Sequence, residues 1–434
     1  MDGIRERVRK DGVEFISLQF SDLLGLVKEV VIPIEELDDT LRYGAWFDGS
    51  SVEGFARIQE SDLFLKPDIS TYAIVPWQND GKTARFICDI YGNDGNPFPF
   101  DPRHILKEEL GRARAMGYTY NVGPEPEFYL LREDLSPIDS GGYFDMSSYA
   151  GYSLVKEIVR ALKSFGIEAE AAHHEVGRGQ YEIDFNYGEA LTTADRMITL
   201  KYAVKKIAQM KGFVATFMPK PFRGMPGNGM HVHQSLSDPS GKNLFYDGGD
   251  RYGLSALAYG FMGGQMAHVR EICSFLCSTV NSYKRLVSGF EAPVYVSWGS
   301  MNRSALIRVP RWFSGKEESA RIEMRCPDPT CNPYLAFSLM LTSGLDGIRS
   351  GARPPEPREE DIYSLDESAL SERGIAQLPG SLFEAIELSE SSDLCRKTLG
   401  DELFKRYISM KRKEWNDFKT EVTDWERKRY GEVY

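Results

Sequence analysis

The sequence predicts an α+β protein of two domains. A chain of 434 residues exceeds what one hydrophobic core usually holds, so at least two domains are expected. Short β-rich runs fill residues 13–90, and beyond residue 101 long helical patterns alternate with strand-like segments. Residues 92–102 are dense in Gly, Asn, Asp and Pro, which favours a boundary there. We therefore expect a small mixed-β domain over 1–100 and a larger α+β domain over 101–434.

The individual elements follow from the spacing of apolar residues. In the first region, the runs 13–20, 27–32 and 84–90 have the β-branched and aromatic content of strands. In the second region, helical spacing covers 104–116, 151–165, 190–211, 251–280 and 332–348. Residues 351–381 are rich in Pro, Gly and Ser, which is typical of a long surface connection. A helical tail that ends near Tyr430 is expected after it.

Composition excludes several classes of function. A formal net charge of -12 disfavours nucleic-acid binding and leaves small charged substrates open. The chain has no apolar run long enough to span a membrane and no signal-peptide core at its start, so a cytoplasmic protein without a membrane partner is expected. The 6 cysteines include no Cys-x-x-Cys pair, which favours reduced, structural cysteines.

Two glutamates lie close together in the segment GPEPEF, residues 123–128. The flanking residues alternate and are rich in aromatic and β-branched side chains, which predicts a strand. Glu125 and Glu127 then share one strand face, where two like charges repel unless a positive group lies between them. A bound cation is one interpretation, and a solvated strand face is the other. Pro126 needs a strand position that does not require an N–H, so a bend or an edge is expected.

A second pair of acids lies in HHEVGRGQYEIDF, residues 173–185. Two strand-like segments flank residues 177–179, with Glu175 at the end of the first and Glu182 early in the second. A hairpin would bring these two carboxylates together. On the second segment, apolar residues alternate with Glu182 and Asp184, which is how a sheet holds acidic groups over an apolar core.

Two further segments place polar groups on strand faces. In GNGMHVHQS, residues 227–235, His231 and His233 share a face after two glycines that allow close backbone approach. Two histidines satisfied by hydrogen bonds are the alternative. In RIEMRCPDP, residues 321–329, Glu323 lies between Arg321 and Arg325 on one face. A surface ion-pair ladder is the alternative there.

Together these segments offer five glutamates and one histidine as metal ligands. Oxygen ligands with little imidazole and no thiolate favour Mg²⁺ or Mn²⁺, and five acids are too many for one such ion. Two ions match phosphoryl transfer, in which arginines such as Arg285, Arg303 and Arg308 stabilise the transferred group. A P-loop is excluded because Pro76 stands where the motif before Lys82 needs glycine.

These segments resemble the motifs of glutamine synthetase, specifically the type I form of bacteria and archaea and its shorter α subtype. The resemblance covers nearly the whole chain. The motifs, in order, are FDGSS (47–51), GPEPEF, HHEVGRGQYEIDF, GNGMHVHQS, KRLVSGFEAP (284–293), NRSALIRVP (302–310) and RIEMRCPDPTCNPY (321–334). The resemblance implies an N-terminal β-grasp-like domain and a catalytic domain of the ATP-guanido-kinase type, with a curved antiparallel sheet and surrounding helices. It also implies ATP-dependent ligation of ammonia to L-glutamate through γ-glutamyl phosphate, giving glutamine, ADP and phosphate.

The resemblance implies two metal ions in each active site, with Mg²⁺ expected and Mn²⁺ as an alternative. The first ion faces the substrate and the second faces the ATP phosphates. The implied ligands are Glu127, Glu175 and Glu182 for the first ion, and Glu125, His231 and Glu323 for the second.

The resemblance also assigns residues to the substrates. The implied glutamate site consists of Gly227, Arg285, Glu291 and Arg325, with Arg285 on the α-carboxylate. The implied nucleotide site consists of His233, Ser235, Arg303, Arg308 and Arg321. Arg303, Arg308 and Arg325 match residues that hold phosphates and the reacting carboxyl group, so Arg303 is also a catalytic candidate.

Two further roles concern ammonium and water. Asp48, in FDGSS, matches the base that takes a proton from ammonium and that a neighbouring subunit supplies. Glu291 matches a mobile flap residue that shields the acyl phosphate from water. A homo-oligomer is therefore expected, and in the family it is a dodecamer of two stacked hexameric rings.

Some features depart from the family or concern its regulation. Ser288 and Pro226 stand where many members have proline and asparagine, so the fit around glutamate and nucleotide is in question. The chain is expected to lack the longer segment with the tyrosine that many proteobacterial relatives adenylylate, so control by adenylylation is not expected. Arg57 resembles the residue through which glutamine inhibits the α subtype, so feedback inhibition is a hypothesis. Regulatory proteins are further partners to consider.

Two other functions remain open from the sequence. A ligase of the same fold could join glutamate to a polyamine or another amine, although FDGSS and Glu291 favour ammonia. A non-catalytic nitrogen sensor is the other alternative, but such a module has no need for the complete set of ligands and arginines.

Overall fold

The computed structural model describes residues 2–52, 54, 62–77, 81–146, 149–290, 292–312, 315–360, 362–364, 370 and 372–434. Two β-sheets organise these residues, and the predicted α+β class is confirmed. The first sheet uses residues 15–92 and the second uses residues 119–324. The domain limits 1–100 and 101–434 stay a prediction.

The first sheet has the strand order β2-β1-β5-β4-β3, and only β1 and β5 run parallel among these pairs. Its strands are β1 (Phe15–Ser21), β2 (Val27–Pro33), β3 (Ala45–Asp48), β4 (Asp62–Ile74) and β5 (Thr83–Gly92), accompanied by helices α1 (Asp2–Asp11) and α2 (Leu37–Tyr43). The strands predicted at 13–20, 27–32 and 84–90 are therefore confirmed as β1, β2 and β5. Asp48 ends the edge strand β3.

The second sheet is mostly antiparallel and carries the candidate site. Its main order is β12-β13-β14-β11-β6-β8-β7, with β9 and β10 also paired to β6. Its strands are β6 (Thr119–Leu131), β7 (Ala169–His174), β8 (Gln180–Phe185), β9 (Gly188–Glu189), β10 (Val214–Thr216), β11 (Met230–Ser237), β12 (Trp298–Gly299), β13 (Ile307–Arg308) and β14 (Ile322–Met324). The long strand β6 therefore joins both halves of this sheet.

Helices pack around the second sheet. They are α3 (Pro102–Ala115), α4 (Tyr149–Ser164), α5 (Ala190–Met210), α6 (Ala256–Leu276), α7 (Pro333–Ser350), α8 (Leu382–Glu390), α9 (Asp393–Leu399), α10 (Asp401–Lys419) and α11 (Asp424–Tyr430). The helix predicted at 251–280 is shorter, because the Ser255 hydroxyl caps α6 by accepting from the Ala258 N–H at 3.2 Å. Among the described residues, no helix has the length and apolar character to cross a membrane.

An apolar cluster fixes which face of the second sheet is polar. Phe128 on β6 and Tyr181 and Ile183 on β8 are buried in one cluster with α4 and α5. Because side chains alternate along a strand, the acidic residues between them project to the opposite face. The predicted surface connection 351–381 differs in part, since Ile362 and Leu378 are buried. All cysteines are buried and free, as predicted.

Candidate active site

Polar side chains form rows across one face of the second sheet. Directly opposed residues of antiparallel strands project to the same face, so the strand register shows which groups meet. The rows are Arg308 with Glu323 and His233, His231 with Glu125, and Glu127 with Glu182 and His173. Four of the six predicted metal ligands therefore lie directly opposite another predicted ligand.

The pairing of β6 explains how Pro126 fits between Glu125 and Glu127. On one edge, β11 pairs with β6 as far as Pro126. On the other edge, β9 reaches Val122 and β8 begins at Glu127, so among the described residues 123–126 have no strand partner there. Pro126 therefore occupies a gap that needs no N–H, as predicted.

The β7–β8 hairpin brings Glu175 and Glu182 together, as predicted. The Glu175 N–H donates to the Gln180 carbonyl at 2.8 Å and closes the hairpin. Ligand atoms of His173, Glu175 and Glu182 all lie within 4.8 Å of one another. His173 Nε2 lies 2.9 Å from Glu175 Oε1 and 3.7 Å from Glu182 Oε1. We call these three residues, with Glu127, the hairpin cluster.

Glu127 lies beside the hairpin residues and is held by amide groups. Its Oε2 accepts from the Gly229 N–H at 2.9 Å and from Gln180 Nε2 at 3.1 Å. Burial and the charge of Glu175 raise the pKa of Glu127 to about 8. Burial and the charge of Glu127 raise the pKa of Glu182 to about 11. At neutral pH the metal-free hairpin cluster therefore keeps protons on Glu127 and Glu182, and a bound cation would favour their ionised forms.

A second group of ligand type lies on β6, β11 and β14. We call Glu125, His231, His233 and Glu323 the arginine-side cluster. Ligand atoms of Glu125, His233 and Glu323 all lie within 4.8 Å of one another. Burial raises the pKa of Glu125, but the imidazoles of His233 and His231 outweigh it and hold the pKa well below its usual range.

The hydrogen bonds of His233 set its tautomer. Arg321 Nε lies 3.1 Å from His233 Nδ1, and because a guanidinium only donates, Nδ1 is the acceptor. His233 Nε2 then carries the hydrogen and donates to Glu125 Oε1 at 2.7 Å. Both ring nitrogens are therefore occupied by hydrogen bonds within the protein.

His231 presents a different environment. Its Nδ1 lies 3.6 Å from Glu125 Oε2 and 3.7 Å from Glu323 Oε1, which are longer than hydrogen bonds. Burial lowers the pKa of His231 and favours the neutral ring, whose lone pair can bind a metal. This geometry favours His231 over His233 as a ligand, and the assignment of His231 stays a prediction.

Two arginines neutralise Glu323. Arg308 Nε donates to Glu323 Oε2 at 2.5 Å, and Arg325 Nη1 donates to Glu323 Oε1. Burial raises the pKa of Glu323, but the His233 ring, the Arg325 guanidinium and further neighbouring groups outweigh it and lower the pKa to about 2. Glu323 is 0% exposed and Arg325 is 6% exposed, so the surface-ladder alternative is wrong.

A cavity of about 370 Å³ adjoins the hairpin cluster and is lined by Glu127, Gly227, Arg285 and Arg325, among others. The Arg285 guanidinium donates to the carbonyls of Cys326 at 2.8 Å and of Arg325 at 3.0 Å. A Cβ on Gly227 would lie 2.9 Å from Arg285 Cγ, and one on Gly229 would lie 2.6 Å from Arg285 Nη2. The glycines of GNG therefore make room for Arg285.

A second cavity, of about 450 Å³, adjoins the arginine-side cluster. Glu125, His233, Ser235 and Arg321 line it, so it gathers three of the five candidates for the nucleotide site. Of the other two, Arg308 is paired with Glu323, and Arg303 has an exposed side chain, while its carbonyl accepts from Arg325 Nε at 3.0 Å.

Among the described residues, Asp48 is a predicted site residue that is not brought to this face. Asp48 is exposed on the edge strand of the first sheet, where its Oδ1 accepts from the Ser50 N–H at 2.8 Å. The described residues that line the two site cavities all come from position 121 onwards. Glu291 and Arg57 lie outside the described residues.

Sequence analysis missed two residues beside the site, His173 and Asp139, and it placed a third, Asp184, on the acidic strand face without assigning it a role. His173 is separated from Glu175 by one residue, so strand alternation could have placed them together. Asp184 lines the 450 Å³ cavity, and burial with the charge of Glu125 raises its pKa to about 6. Asp139 lies 2.8 Å from His174 Nε2 and accepts from the Gly179 N–H at 2.9 Å. Nothing in the sequence near Asp139 predicted that contact, because it joins positions 35 residues apart.

Comparisons with known proteins identify the family to which this fold belongs. Residues 12–93 match the family model described as "Glutamine synthetase, beta-Grasp domain", and residues 99–430 match "Glutamine synthetase, catalytic domain". These matches, on a chain with this acidic and arginine-rich face, define a ligase. The chain belongs to the glutamine synthetase family.

Curated relatives and solved structures agree with this assignment. "Glutamine synthetase" of Clostridium saccharobutylicum is 46% identical over 98% of this chain and 97% of its own length. "Glutamine synthetase" of Methanosarcina mazei is also 46% identical, over 99% and 97%. The structure titled "GmaS/ADP complex-Conformation 1" superposes with a TM-score of 0.91 at 32% identity, covering 100% of both chains. The predicted family, β-grasp fold and glutamine synthetase function are therefore confirmed.

Proposed function

We propose that this ligase joins ammonia to L-glutamate with two divalent metal ions and the residues assigned from its sequence. ATP would phosphorylate the γ-carboxylate, and ammonia would displace phosphate to give glutamine and ADP. The observation that supports this most strongly is a single sheet face on which two acidic clusters lie between two cavities. Glutamate would occupy the cavity of Arg285, and ATP the cavity of Arg321.

The donor chemistry fits Mg²⁺ or Mn²⁺. Five of the six proposed ligands are carboxylates, and among the described residues no thiolate lines the two site cavities. The proposed ligands are Glu127, Glu175 and Glu182 for the first ion and Glu125, His231 and Glu323 for the second. When bound, the ions would neutralise both the nucleotide phosphates and the acids that hold them.

The arginines of the site bring two anions together. Arg285 would bind the α-carboxylate of glutamate by exchanging one of its carbonyl contacts for the ligand. Arg303 and Arg308 would hold the phosphates, and Arg325 would hold the reacting carboxyl group. Such donors lower the repulsion between the γ-phosphate and the glutamate carboxylate, and they act most strongly where water is excluded.

Ammonium requires a base, and Asp48 of a second copy of the chain is proposed for that role. Hydrogen bonds from Ser50 lower the pKa of the Asp48 carboxyl, so it is ionised and attracts a cation. Asp48 lies on an exposed sheet edge, away from the cavities of its own chain. We therefore propose a homo-oligomer, a dodecamer by family expectation, with Glu291 closing over the acyl phosphate.

An amine-comparison assay tests this function. Release of ADP from ATP and glutamate is measured with Mg²⁺ and ammonium, methylamine or putrescine, and the product is identified by mass spectrometry. We expect glutamine from ammonium and loss of turnover with a chelator. A product formed from putrescine but not from ammonium would assign the chain to another ligase, and no product from any amine would favour a binding protein.

Complementation tests the shared site. Asp48→Ala and Glu127→Ala are each expected to be inactive, and co-expression of both variants should restore activity in mixed oligomers because some sites then lack neither residue. Mixed oligomers as inactive as either variant alone would contradict a split site.

Feedback inhibition by glutamine through Arg57 is a further proposal. Arg57→Ala should be less sensitive to glutamine than the parent, while its turnover without glutamine is unchanged. Equal sensitivity would reject this role for Arg57.

A further inference from the structure

A third cavity lies away from the candidate site, between the turn that joins β1 to β2 and the helices α5 and α10. Its volume is about 460 Å³. Among the described residues, it shares no lining residue with the two site cavities. The turn belongs to the part of the chain matched by the β-grasp model, and both helices belong to the catalytic part. The cavity therefore lies where the two parts meet.

The charged side chains that line this cavity are mainly cationic. Among the described lining residues they are Lys201, Lys205, Lys411 and Glu414. Lys411 Nζ is paired with Glu414 Oε2 at 2.9 Å, so these two charges offset each other. Lys201 and Lys205 are four residues apart on α5 and therefore share one helix face. Two positive charges thus remain without an acid from the same lining.

Lys201 is held by neutral acceptors. Its Nζ donates to the carbonyls of Pro329 at 3.1 Å and Cys331 at 3.3 Å. Burial lowers the pKa of Lys201, and the like charge of Lys205 acts in the same direction. In its ammonium form Lys201 has three N–H groups, so the two carbonyls leave one of them for a bound anion, and the anion would in turn favour the charged form.

The rest of the lining suits a small organic anion. Ser278, Thr279 and Thr330 contribute hydroxyl groups, and Phe217 contributes an apolar wall. Ser278 Oγ donates to the Thr330 carbonyl at 3.1 Å, which fixes one side of the cavity. Few directed polar groups on a partly apolar surface are typical of small-molecule sites.

The segments that line this third cavity are linked by hydrogen bonds to the segments that line the cavity of about 370 Å³. The carbonyl of Met218 accepts from Asn228 Nδ2 at 2.9 Å, and Asn228 lies between the two glycines that make room for Arg285. Thr279 Oγ1 lies 3.0 Å from Ser282 Oγ, and the Ser282 carbonyl accepts from the Arg285 N–H at 3.0 Å. A ligand that shifts residues 216–218 or 278–279 would therefore shift the Arg285 region.

We propose that this cavity is an effector site for a small anion with a phosphate or carboxylate group, bound by Lys201 and Lys205, and that its occupation changes the affinity for glutamate. The effect on glutamate rests on the proposed function, whereas binding of the anion does not. Occupation and coupling can therefore be tested separately.

Binding is tested by calorimetric titration of the full-length protein, without metal, with inorganic phosphate and with succinate. Lys205→Gln should weaken binding by about tenfold, since loss of one ion contact in a cavity is worth about 1.4 kcal/mol. Lys205→Arg should retain binding. Lys206→Gln is the matched control, because Lys206 is the next residue of α5 and does not line the cavity.

The two probes distinguish the ligand class. Binding of phosphate alone supports a phosphate effector, binding of succinate alone supports a carboxylate effector, and binding of both supports a shared anion site, provided that Lys205→Gln weakens it. Failure of both probes to bind at millimolar concentration, or equal binding by Lys205→Gln and the parent, would overturn the proposal.

Coupling is tested by the KM for glutamate with and without the bound probe. The parent should show a shift in KM that Lys205→Gln lacks, while kcat without the probe stays the same in both. An unchanged KM in the parent would reject the coupling. Absence of any turnover would count against the proposed function and would leave the calorimetric result intact.

Discussion

The hairpin cluster and the arginine-side cluster lie side by side on one face of the second sheet, but their charges are balanced in different ways. Glu323 is ion-paired to Arg308 and Arg325, and its pKa is lowered to about 2. Glu182, in contrast, has other carboxylates as neighbours, and its pKa is raised to about 11. Burial is similar for both groups, because Glu323 is 0% and Glu182 is 7% exposed. The sign of the neighbouring charge therefore decides which acid is ionised.

This difference shows two ways of holding a buried ligand acid. The arginine-side cluster is ionised before any metal arrives, because the protein supplies the countercharge. The hairpin cluster retains protons until a cation replaces them. Metal binding should therefore stabilise the fold mainly through the hairpin cluster, and substitutions in the two clusters should have opposite effects on the metal-free protein.

The largest effect is expected for Glu323→Gln. The amide NH₂ cannot accept from an arginine, so either Arg308 or Arg325 loses its carboxylate partner, and the free energy of unfolding should fall by about 3 kcal/mol. Activity should fall at least about a thousandfold with the loss of a metal ligand. Urea unfolding in chelator measures the stability, with the exposed Glu168→Gln as control. An unchanged free energy of unfolding would show that the ion pairs of Glu323 with the two arginines do not stabilise the fold.

Glu127→Gln should separate activity from stability. Activity should again fall at least about a thousandfold. The metal-free protein should be as stable as the parent or more so, since the amide removes an acid that repels Glu175 and still accepts from Gly229 and Gln180. Thermal unfolding in chelator measures the stability of the metal-free variant and parent. A loss of stability comparable to that of Glu323→Gln would contradict the proposed contrast.

Asp139→Asn should have a smaller effect, transmitted through His174. Asp139 forms a hydrogen bond with His174 Nε2, and His174 Nδ1 lies 2.6 Å from the Glu175 carbonyl. Asp139 therefore helps to position Glu175, a proposed metal ligand, through His174. Outer contacts of this kind typically alter metal affinity by about 10- to 100-fold. Mn²⁺ titration followed by electron paramagnetic resonance measures the change. An unaltered affinity, with the fold retained by circular dichroism, would remove Asp139 from the account.

The smallest effect is a pH dependence of metal stabilisation. Glu127 has a raised pKa of about 8 against the ordinary 4.5, so between these values the metal-free folded chain holds a proton that the unfolded chain has lost. Metal-free stability therefore falls as pH rises through this window, and the increase in Tm caused by Mn²⁺ should grow from about pH 6 to about pH 8. Scanning calorimetry of the parent and Glu127→Gln measures it, and equal increases at both values in the parent would contradict this expectation.

Much of the fold followed from local patterns. Alternation along β8 predicted that Glu182 projects to one face of the strand and Tyr181 and Ile183 to the other. The turn residues at 177–179 predicted the hairpin. Helical spacing predicted α3 over 104–116, and in the structure this helix begins at Pro102, because the Asp101 side chain caps it by accepting from the Arg103 N–H. The helix at 251–280 was predicted too long because its beginning depends on the Ser255 cap and on a turn organised by Asp250.

Less of the candidate site than of the fold could be predicted from sequence patterns alone. Shared faces placed Glu125 with Glu127 and His231 with His233, but the register between β6, β11 and β14 decides which of them meet. Contacts such as that of Asp139 with His174 depend on the complete fold. The third cavity was missed because its lysines and hydroxyl groups come from distant segments, none of which has a distinctive motif.

A crystal structure with Mn²⁺ and ADP, in which anomalous difference maps locate the manganese ions, tests the central claim most directly. We expect two manganese peaks, one among Glu127, Glu175 and Glu182 and the other among Glu125, His231 and Glu323. The absence of manganese from this sheet face, or ligands drawn from elsewhere, would contradict the proposed division of the site into two metal-binding clusters.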